Sequence, residues 1–190
     1  MKLLATVALW ACISACSSVG PADSLIAEAR ENRFAVYLGQ RNLDEDDYAP
    51  VDEQTTLGVE FSKETSEDPL GFELGLMASE DSARIFGFGT EGSTRELYGG
   101  IRKTFGSDVL RPYVGAGVSF INSKFEVDGV GEDDDSSPGA YVHGGLALQA
   151  GESLLIGLDL RFLFCTSMTI AGVDTDADYG QVAMFLGFQF

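Results

Sequence analysis

The feature that most constrains this chain is an alternation of apolar and polar side chains, with a period of two residues, that recurs from Arg33 to Phe190. Successive side chains of a strand point to opposite faces, so such a segment predicts a strand with one apolar face. In the segment LLIGLDLRFLF, residues 154–164, every even-numbered position is leucine, isoleucine or phenylalanine, and the odd positions include Asp159 and Arg161. A helix would scatter these charges around its surface.

Eight segments follow this pattern, and together they predict an all-β fold. Their first apolar positions are Phe34, Leu57, Leu70, Leu97, Val114, Val142, Leu154 and Val182. The connections alternate between longer ones (residues 42–54, 79–94, 123–138 and 166–177) and shorter ones (residues 63–69, 106–111 and 150–152). This rhythm predicts an eight-stranded antiparallel up-and-down β-barrel over residues 33–190, with no second domain.

Alternation alone does not say whether the apolar face points into the barrel or out of it. A lipocalin-like barrel keeps apolar side chains inside around a ligand, whereas a transmembrane β-barrel turns them toward lipid. The polar face here carries glycines, tyrosines and charged residues rather than the lysines of a soluble surface. Such residues suit a narrow, filled interior. Strands of about ten residues tilted by about 45° also match the hydrocarbon thickness. We therefore expect a transmembrane barrel, with the lipocalin-like barrel as the alternative.

The inward positions carry acids and bases in near balance. A charge in a medium of low dielectric constant costs several kcal/mol unless it is paired, so we expect a polar network that fills the interior. Its predicted members are Arg33, Glu60, Glu73, Glu96, Arg102, His143, Asp159 and Arg161. A gated ion path through the same charges is the alternative, although eight strands leave little room for one.

One catalytic arrangement can be built on the same face. A tight turn near Gly151 predicts that His143 lies opposite Asp159, and Ser119 on the preceding strand also faces inward. A serine, a histidine and an acid in line would indicate an acyl hydrolase. The registers are inferred, and a slip of one residue would destroy the arrangement. We expect no catalytic site, and keep a lipid or ester hydrolase that uses these three residues as the alternative function.

The first fifteen residues are typical of an export signal, because Lys2 is followed by the apolar run 3–13 and then by small residues. That run is too short for a comfortable membrane-spanning helix. Ser14-Ala15-Cys16 resembles a lipobox, in which Cys16 would be lipidated, and cleavage after Ser17 or Ala22 is the alternative. Residues 16–32 would then form a periplasmic segment with a short helix before the first strand.

Two further segments complete a family resemblance. The C-terminal segment 182-VAMFLGFQF-190 has apolar residues at every second position, and 97-LYGGIRKTF-105 is followed by 111-RPYVGAGVSF-120. With its export signal and its loop rhythm, the chain resembles the small eight-stranded outer-membrane barrels of Gram-negative bacteria, the OmpA/OmpX-like and opacity-protein-like surface proteins. The resemblance implies an outer-membrane location and a C-terminal signal, including Phe188 and Phe190, for the barrel-assembly machinery. The glycine of this segment departs from the usual signal.

The resemblance implies less about role, since this fold serves adhesins, tethers and enzymes alike. No peptidoglycan-binding domain is expected after Phe190, so the tethering role of longer relatives is not predicted. The formal charge of −18 argues against nucleic acid as a partner. One histidine and three cysteines predict neither a zinc site nor a disulfide framework, and no cofactor is expected. We therefore predict a structural or surface-interaction role.

The acids concentrate in the longer connections, which would face the outside of the cell. Acidic loops of this kind would contact a surface ligand, or bridge through Ca²⁺ or Mg²⁺ to the phosphates of lipopolysaccharide. Asp174, Asp176 and Asp178 resemble a calcium loop, but Gly180 comes one position late and Phe185 stands where a bidentate glutamate belongs. We expect no specific metal site, with calcium at these three aspartates as the alternative.

Overall fold

The protein is an antiparallel β-barrel whose eight strands each pair with their neighbours along the chain, and whose first strand closes the ring against the last. A computed structural model describes residues 32–65, 70–85, 88–106, 109–129, 131–170 and 172–190. The barrel strands are Asn32–Leu43 (β1), Glu53–Lys63 (β2), Gly71–Ile85 (β3), Phe88–Thr104 (β4), Leu110–Val127 (β5), Gly131–Ala150 (β6), Leu154–Phe164 (β7) and Tyr179–Gln189 (β10). A short helix, Glu45–Tyr48 (α1), and a hairpin of Met168–Ile170 (β8) with Val173–Thr175 (β9) lie in two connections. The predicted eight-stranded barrel is confirmed.

Apolar side chains cover the outside of the barrel and polar ones fill it. In β7, Leu158 is 55% exposed, while Asp159 and Arg161 beside it are 1% and 0% exposed. The same alternation holds around the ring, with outward leucine, valine and phenylalanine side chains on every barrel strand. The lipocalin-like alternative is therefore wrong, because it requires the apolar face to point inward.

The two ends of the barrel differ. At one end lie the start of β1, the end of β2, the end of β4, the end of β10 and the turn 151–153. The turn before β7 uses Gly151 with a positive φ of 78°. The other end carries α1, the β8–β9 hairpin and the extended ends of the four longest strands, β3 to β6. In the barrels that the sequence resembles, short turns are expected in the periplasm and longer connections outside, and we name the two ends periplasmic and outer on that expectation.

The predicted loops 79–94 and 123–138 are wrong, because most of these residues extend the strands. The β3–β4 pairing continues to Ile85↔Phe88, and the β5–β6 pairing continues to Val127↔Gly131. Hydrophobic alternation marks only a strand with one apolar face, and a sheet that rises beyond lipid carries polar residues on both faces. Residues 81–85, 88–92, 125–129 and 131–133 form this extension, which we call the protruding sheet.

Several predicted features lie outside the described residues. They are the export signal, lipidation at Cys16 and the short helix before the first strand. Within the described part of the chain, no helix is long and apolar enough to cross a membrane.

The outward apolar belt can be tested with one charge. Replacing Leu158 by lysine should destabilise the barrel in lipid by about 2–4 kcal/mol, because the new ammonium group sits near mid-belt. Val173→Lys is the matched control, since Val173 is 60% exposed but lies in the outer hairpin. Denaturant unfolding in lipid vesicles measures both costs. Equal costs for the two variants would contradict the belt.

Candidate functional site

Glu96 on β4 is the centre of one group of buried polar side chains, which we call the Glu96 cluster. Its Oε2 atom accepts hydrogen bonds from Arg41 (2.8 Å) and from the Tyr179 hydroxyl (2.6 Å). Its Oε1 atom accepts from Arg161 (2.8 Å) and from the Ser119 hydroxyl (2.7 Å). The side chains of Glu96, Arg41 and Arg161 are fully buried. One carboxylate is therefore paired with two arginines inside the barrel.

Glu60 on β2 is the centre of a second group, the Glu60 cluster, nearer the periplasmic end. Its Oε1 atom pairs with Arg33 and accepts hydrogen bonds from Arg102 and from the Tyr37 hydroxyl, each at 3.1 Å. Its Oε2 atom accepts from the Tyr98 hydroxyl at 3.0 Å. This cluster repeats the arrangement of one carboxylate between two guanidinium groups.

His143 joins two further acids. Its Nδ1 atom lies 2.9 Å from Asp159 Oδ2, and its Nε2 atom lies 3.0 Å from Glu73 Oε2. Because an ionised carboxylate only accepts hydrogen bonds, a doubly protonated ring satisfies both contacts. Each of these two acids also accepts a hydrogen bond from a tyrosine hydroxyl group. Tyr113 donates to Asp159 (2.6 Å) and Tyr141 donates to Glu73 (2.7 Å).

Aromatic rings pack between the charges. The guanidinium of Arg161 lies 3.8 Å from the ring centroid of Tyr98 and 3.9 Å from that of Tyr141, which connects the Glu96 cluster to Glu60 through the Tyr98 hydroxyl. Arg102 stacks in the same way on Tyr113, at 3.6 Å. Such cation–π contacts stabilise a desolvated guanidinium by about 2 kcal/mol.

Inward glycines make room for these rings. A Cβ atom at Gly145 would lie 2.5 Å from the Tyr113 hydroxyl oxygen, and one at Gly75 would overlap the ring of Tyr98. A Cβ at Gly115 would likewise overlap the imidazole of His143. These glycines therefore let large polar side chains pack closely against the backbone of the neighbouring strand.

All eight residues of the predicted polar network lie buried inside the barrel and take part in the contacts above. Sequence reasoning missed Arg41, which is 0% exposed and brings the buried charged side chains among the described residues to four acids and four arginines besides His143. The signal was present, because Arg41 continues the inward parity of Arg33 and Tyr37. The predicted first connection begins at residue 42, so Arg41 lay within the predicted first strand but was not included in the predicted network.

The structure does not assemble the alternative catalytic arrangement. His143 pairs across the sheet with Arg161 and not with Asp159, although the diagonal contact brings its ring to that acid. Ser119 lies opposite Gly139, four positions along β5 from the partner of His143, and its hydroxyl donates to Glu96. The serine that this hydrolase would use is therefore not beside His143 in the structure.

The aspartates of the alternative calcium loop have other partners. Asp178 Oδ1 accepts from the backbone N–H (2.9 Å) and hydroxyl (2.8 Å) of Thr166, and Asp174 lies near the Thr169 hydroxyl. Among the described residues, the one group of carboxylate and imidazole ligands close enough to share a cation is Glu60, Glu73 and His143. Its ligand atoms already receive the arginine, tyrosine and histidine donors described above.

The outer end carries a second charged feature, on the outward face of the protruding sheet. Strand pairing places Glu91, Glu126 and Glu132 side by side in one row across β4, β5 and β6. Lys124, one row below, pairs with Glu132 and lies 3.2 Å from Glu126. Like charges directly opposite one another destabilise a sheet, so this row carries an energetic cost.

Contacts outside the ladder differ at the two sides of the outer end. On β6, just below the protruding sheet, the Ser137 hydroxyl accepts from the Ser167 N–H (2.9 Å), and Asp135 accepts from the Thr169 N–H (2.8 Å). The backbone N–H donors of Thr169 and Ser136 lower the pKa of Asp135. On the other side, pairing with β2 ends at Glu80, so Asp81–Ile85 pair with β4 alone. On the side away from β4, Asp81–Ile85 therefore form an open edge of the protruding sheet.

Comparisons with known proteins match this architecture. The model of the family described as the outer membrane protein beta-barrel domain matches residues 8–190. No curated protein matches the chain.

Among solved structures, Neisserial surface protein A is similar at 10% identity and a TM-score of 0.60, covering 84% of this chain and 96% of its own. Ail of Yersinia pestis is similar at 14% identity and a TM-score of 0.60, and the match covers 84% of this chain and 98% of Ail. OprG of Pseudomonas aeruginosa is similar at 18% identity and a TM-score of 0.55, and the match covers 85% of this chain and 97% of OprG.

The dependence of the interior on Glu96 can be measured directly. Glu96→Ala should cost about 3–5 kcal/mol of unfolding free energy, because it leaves two buried arginines without their carboxylate. Ser119→Ala removes one neutral donor from the same carboxylate and should cost less, about 1.5–3 kcal/mol. Urea unfolding of the two variants in detergent micelles compares them. A similar cost for both would contradict the central role of Glu96.

The packed interior also predicts electrical behaviour. Arg41 and Arg161 are 0% exposed, and Tyr48, Val51 and Met168 are buried at the outer end. We expect no regular conductance steps when the folded protein is inserted into planar lipid bilayers. Regular steps from the pure protein would instead support the ion path considered from the sequence.

Proposed function

The chain belongs to the outer membrane protein β-barrel domain family, and from that premise we propose that it is a surface-interaction protein of the Gram-negative outer membrane. The barrel acts as the anchor, and the protruding sheet presents the binding surface. The partner is a cationic segment of an extracellular polypeptide. The observation that carries this proposal is the protruding sheet, whose acidic row and open edge lie at the outer end.

The acidic row argues for a binding role. Three glutamates in adjacent strands repel one another, and Lys124 is the cation that the described contacts bring to them. A cationic ligand would relieve that repulsion. The open backbone of Asp81–Ile85 offers unpaired hydrogen-bonding groups to an extended chain, which is a general mode of peptide recognition.

The same charges argue against a polyanionic ligand. The structure of Ail was determined in complex with the heparin analogue sucrose octasulfate. That similarity in fold, at 14% identity, carries no ligand across. With a formal charge of −18 and glutamates along the outward row, this chain suits the opposite sign of partner.

The C-terminal signal remains a prediction about assembly. Phe188 and Phe190 are 52% and 57% exposed on the outer face at the periplasmic end, and their rings stack with centroids 6.4 Å apart. Two exposed rings at the end of the closing strand support recognition by the barrel-assembly machinery.

A binding experiment tests the surface role. The folded protein in nanodiscs is titrated with a decalysine peptide, and separately with sucrose octasulfate. We expect the peptide alone to bind, with an affinity that falls as salt rises. Glu91→Gln, Glu126→Gln and Glu132→Gln together should weaken peptide binding about five- to tenfold, since each exposed pair contributes about 0.2–1 kcal/mol.

The control removes as many acids from elsewhere at the outer end. Asp52→Asn, Glu53→Gln and Asp174→Asn together change the formal charge by the same amount without touching the row. If both triple variants weakened the peptide equally, net charge and not the protruding sheet would be responsible, and the proposed site would be rejected.

A further inference from the structure

An apolar groove of about 510 Å³ lies on the lipid-facing side of β2–β5, near the outer end. We propose that it holds an acyl chain of a phosphorylated glycolipid of the outer leaflet, whose phosphate pairs with Arg95. This site rests on the membrane location of the barrel and is independent of the protruding sheet.

Two rows of outward side chains form the groove. Val59, Leu76, Leu97 and Phe120 are neighbours across the four strands, and Leu57, Ala78, Arg95 and Asn122 form the next row toward the outer end. Leu76, Leu97 and Phe120 are 55%, 50% and 54% exposed. The small side chain of Ala78 between Leu57 and Arg95 leaves a depression that a hydrocarbon chain fills.

Arg95 stands where the apolar belt ends. The following row holds Thr55, Glu80, Ser93 and Lys124, which are polar. Contacts among the described residues give Arg95 no ion pair and no side-chain hydrogen bond. Its neighbour Asn122 is already engaged, because its amide donates to Asp134, Asp135 and Ser136.

The chemistry of this position selects the ligand. In a chain with a formal charge of −18, each of the four interior arginines described above pairs with an acid, whereas Arg95 faces lipid without one. An arginine side chain at the edge of the hydrocarbon layer keeps its methylene groups on the apolar surface and its guanidinium at the level of the lipid headgroups. Its planar donors match phosphate oxygens in a bidentate manner. An acyl chain in the groove and a phosphate on Arg95 belong to one lipid molecule.

Native mass spectrometry of the full folded protein in detergent tests the site. The probes are hexa-acylated lipid A with both phosphates and the same glycolipid after dephosphorylation. Arg95→Gln should weaken binding of the phosphorylated lipid about tenfold or more and leave the dephosphorylated lipid unchanged, because one charge-assisted contact is lost. Ala78→Leu should weaken both lipids by filling the groove.

Arg84→Gln is the matched control, since it removes the same group from the outward face of the protruding sheet. Equal loss in Arg84→Gln and Arg95→Gln would overturn the proposal, as would unchanged binding in Ala78→Leu. Binding of decalysine should be unaffected by Ala78→Leu, so failure of this site and failure of the surface role are separable.

Discussion

The structure depends on the pairing of carboxylates with guanidinium groups in a space that excludes water. Each unpaired charge there would cost several kcal/mol, so the interior is stable only when its acids and bases meet. Glu96 and Glu60 satisfy this requirement in the same way, each lying between two arginines. The pairs connect strands that are not neighbours in the ring, such as β4 with β1 and β7. The network therefore fixes the cross-section of the barrel as well as neutralising its charge.

The period-two alternation predicted one part of this arrangement and not another. Alternation reports the face on which a side chain lies, and the inward placement of Glu96, Asp159 and Arg161 was predicted from it. Periodicity does not report register, so the pairing of His143 was misplaced by two residues and Ser119 was brought to the wrong neighbour. Both of these contacts depend on how strands are staggered, which is a property of the closed ring.

The strand extensions were hidden for a different reason. Beyond the belt, water solvates both faces of a sheet, and no apolar side appears in the sequence. Residues 81–85 and 131–133 therefore resembled loops. The Arg95 groove was also not predicted, because it arises from four strands whose aligned positions, such as Val59 and Leu76, are far apart along the chain. Sequence patterns describe single strands well and describe the surfaces between strands poorly.

The seating of rings on glycines constrains how this protein can change over time. Gly75 accommodates Tyr98, Gly145 accommodates Tyr113, and Gly115 accommodates His143, and each pair joins two strands. Substitution of one of these glycines by alanine is tolerated only if the residue paired with that glycine is replaced by one without a ring. Related barrels should therefore vary at such positions in pairs, with glycine and a large polar ring exchanged together across the ladder. Interior positions would then be substituted in pairs, while the lipid-facing leucines and valines would be substituted one at a time.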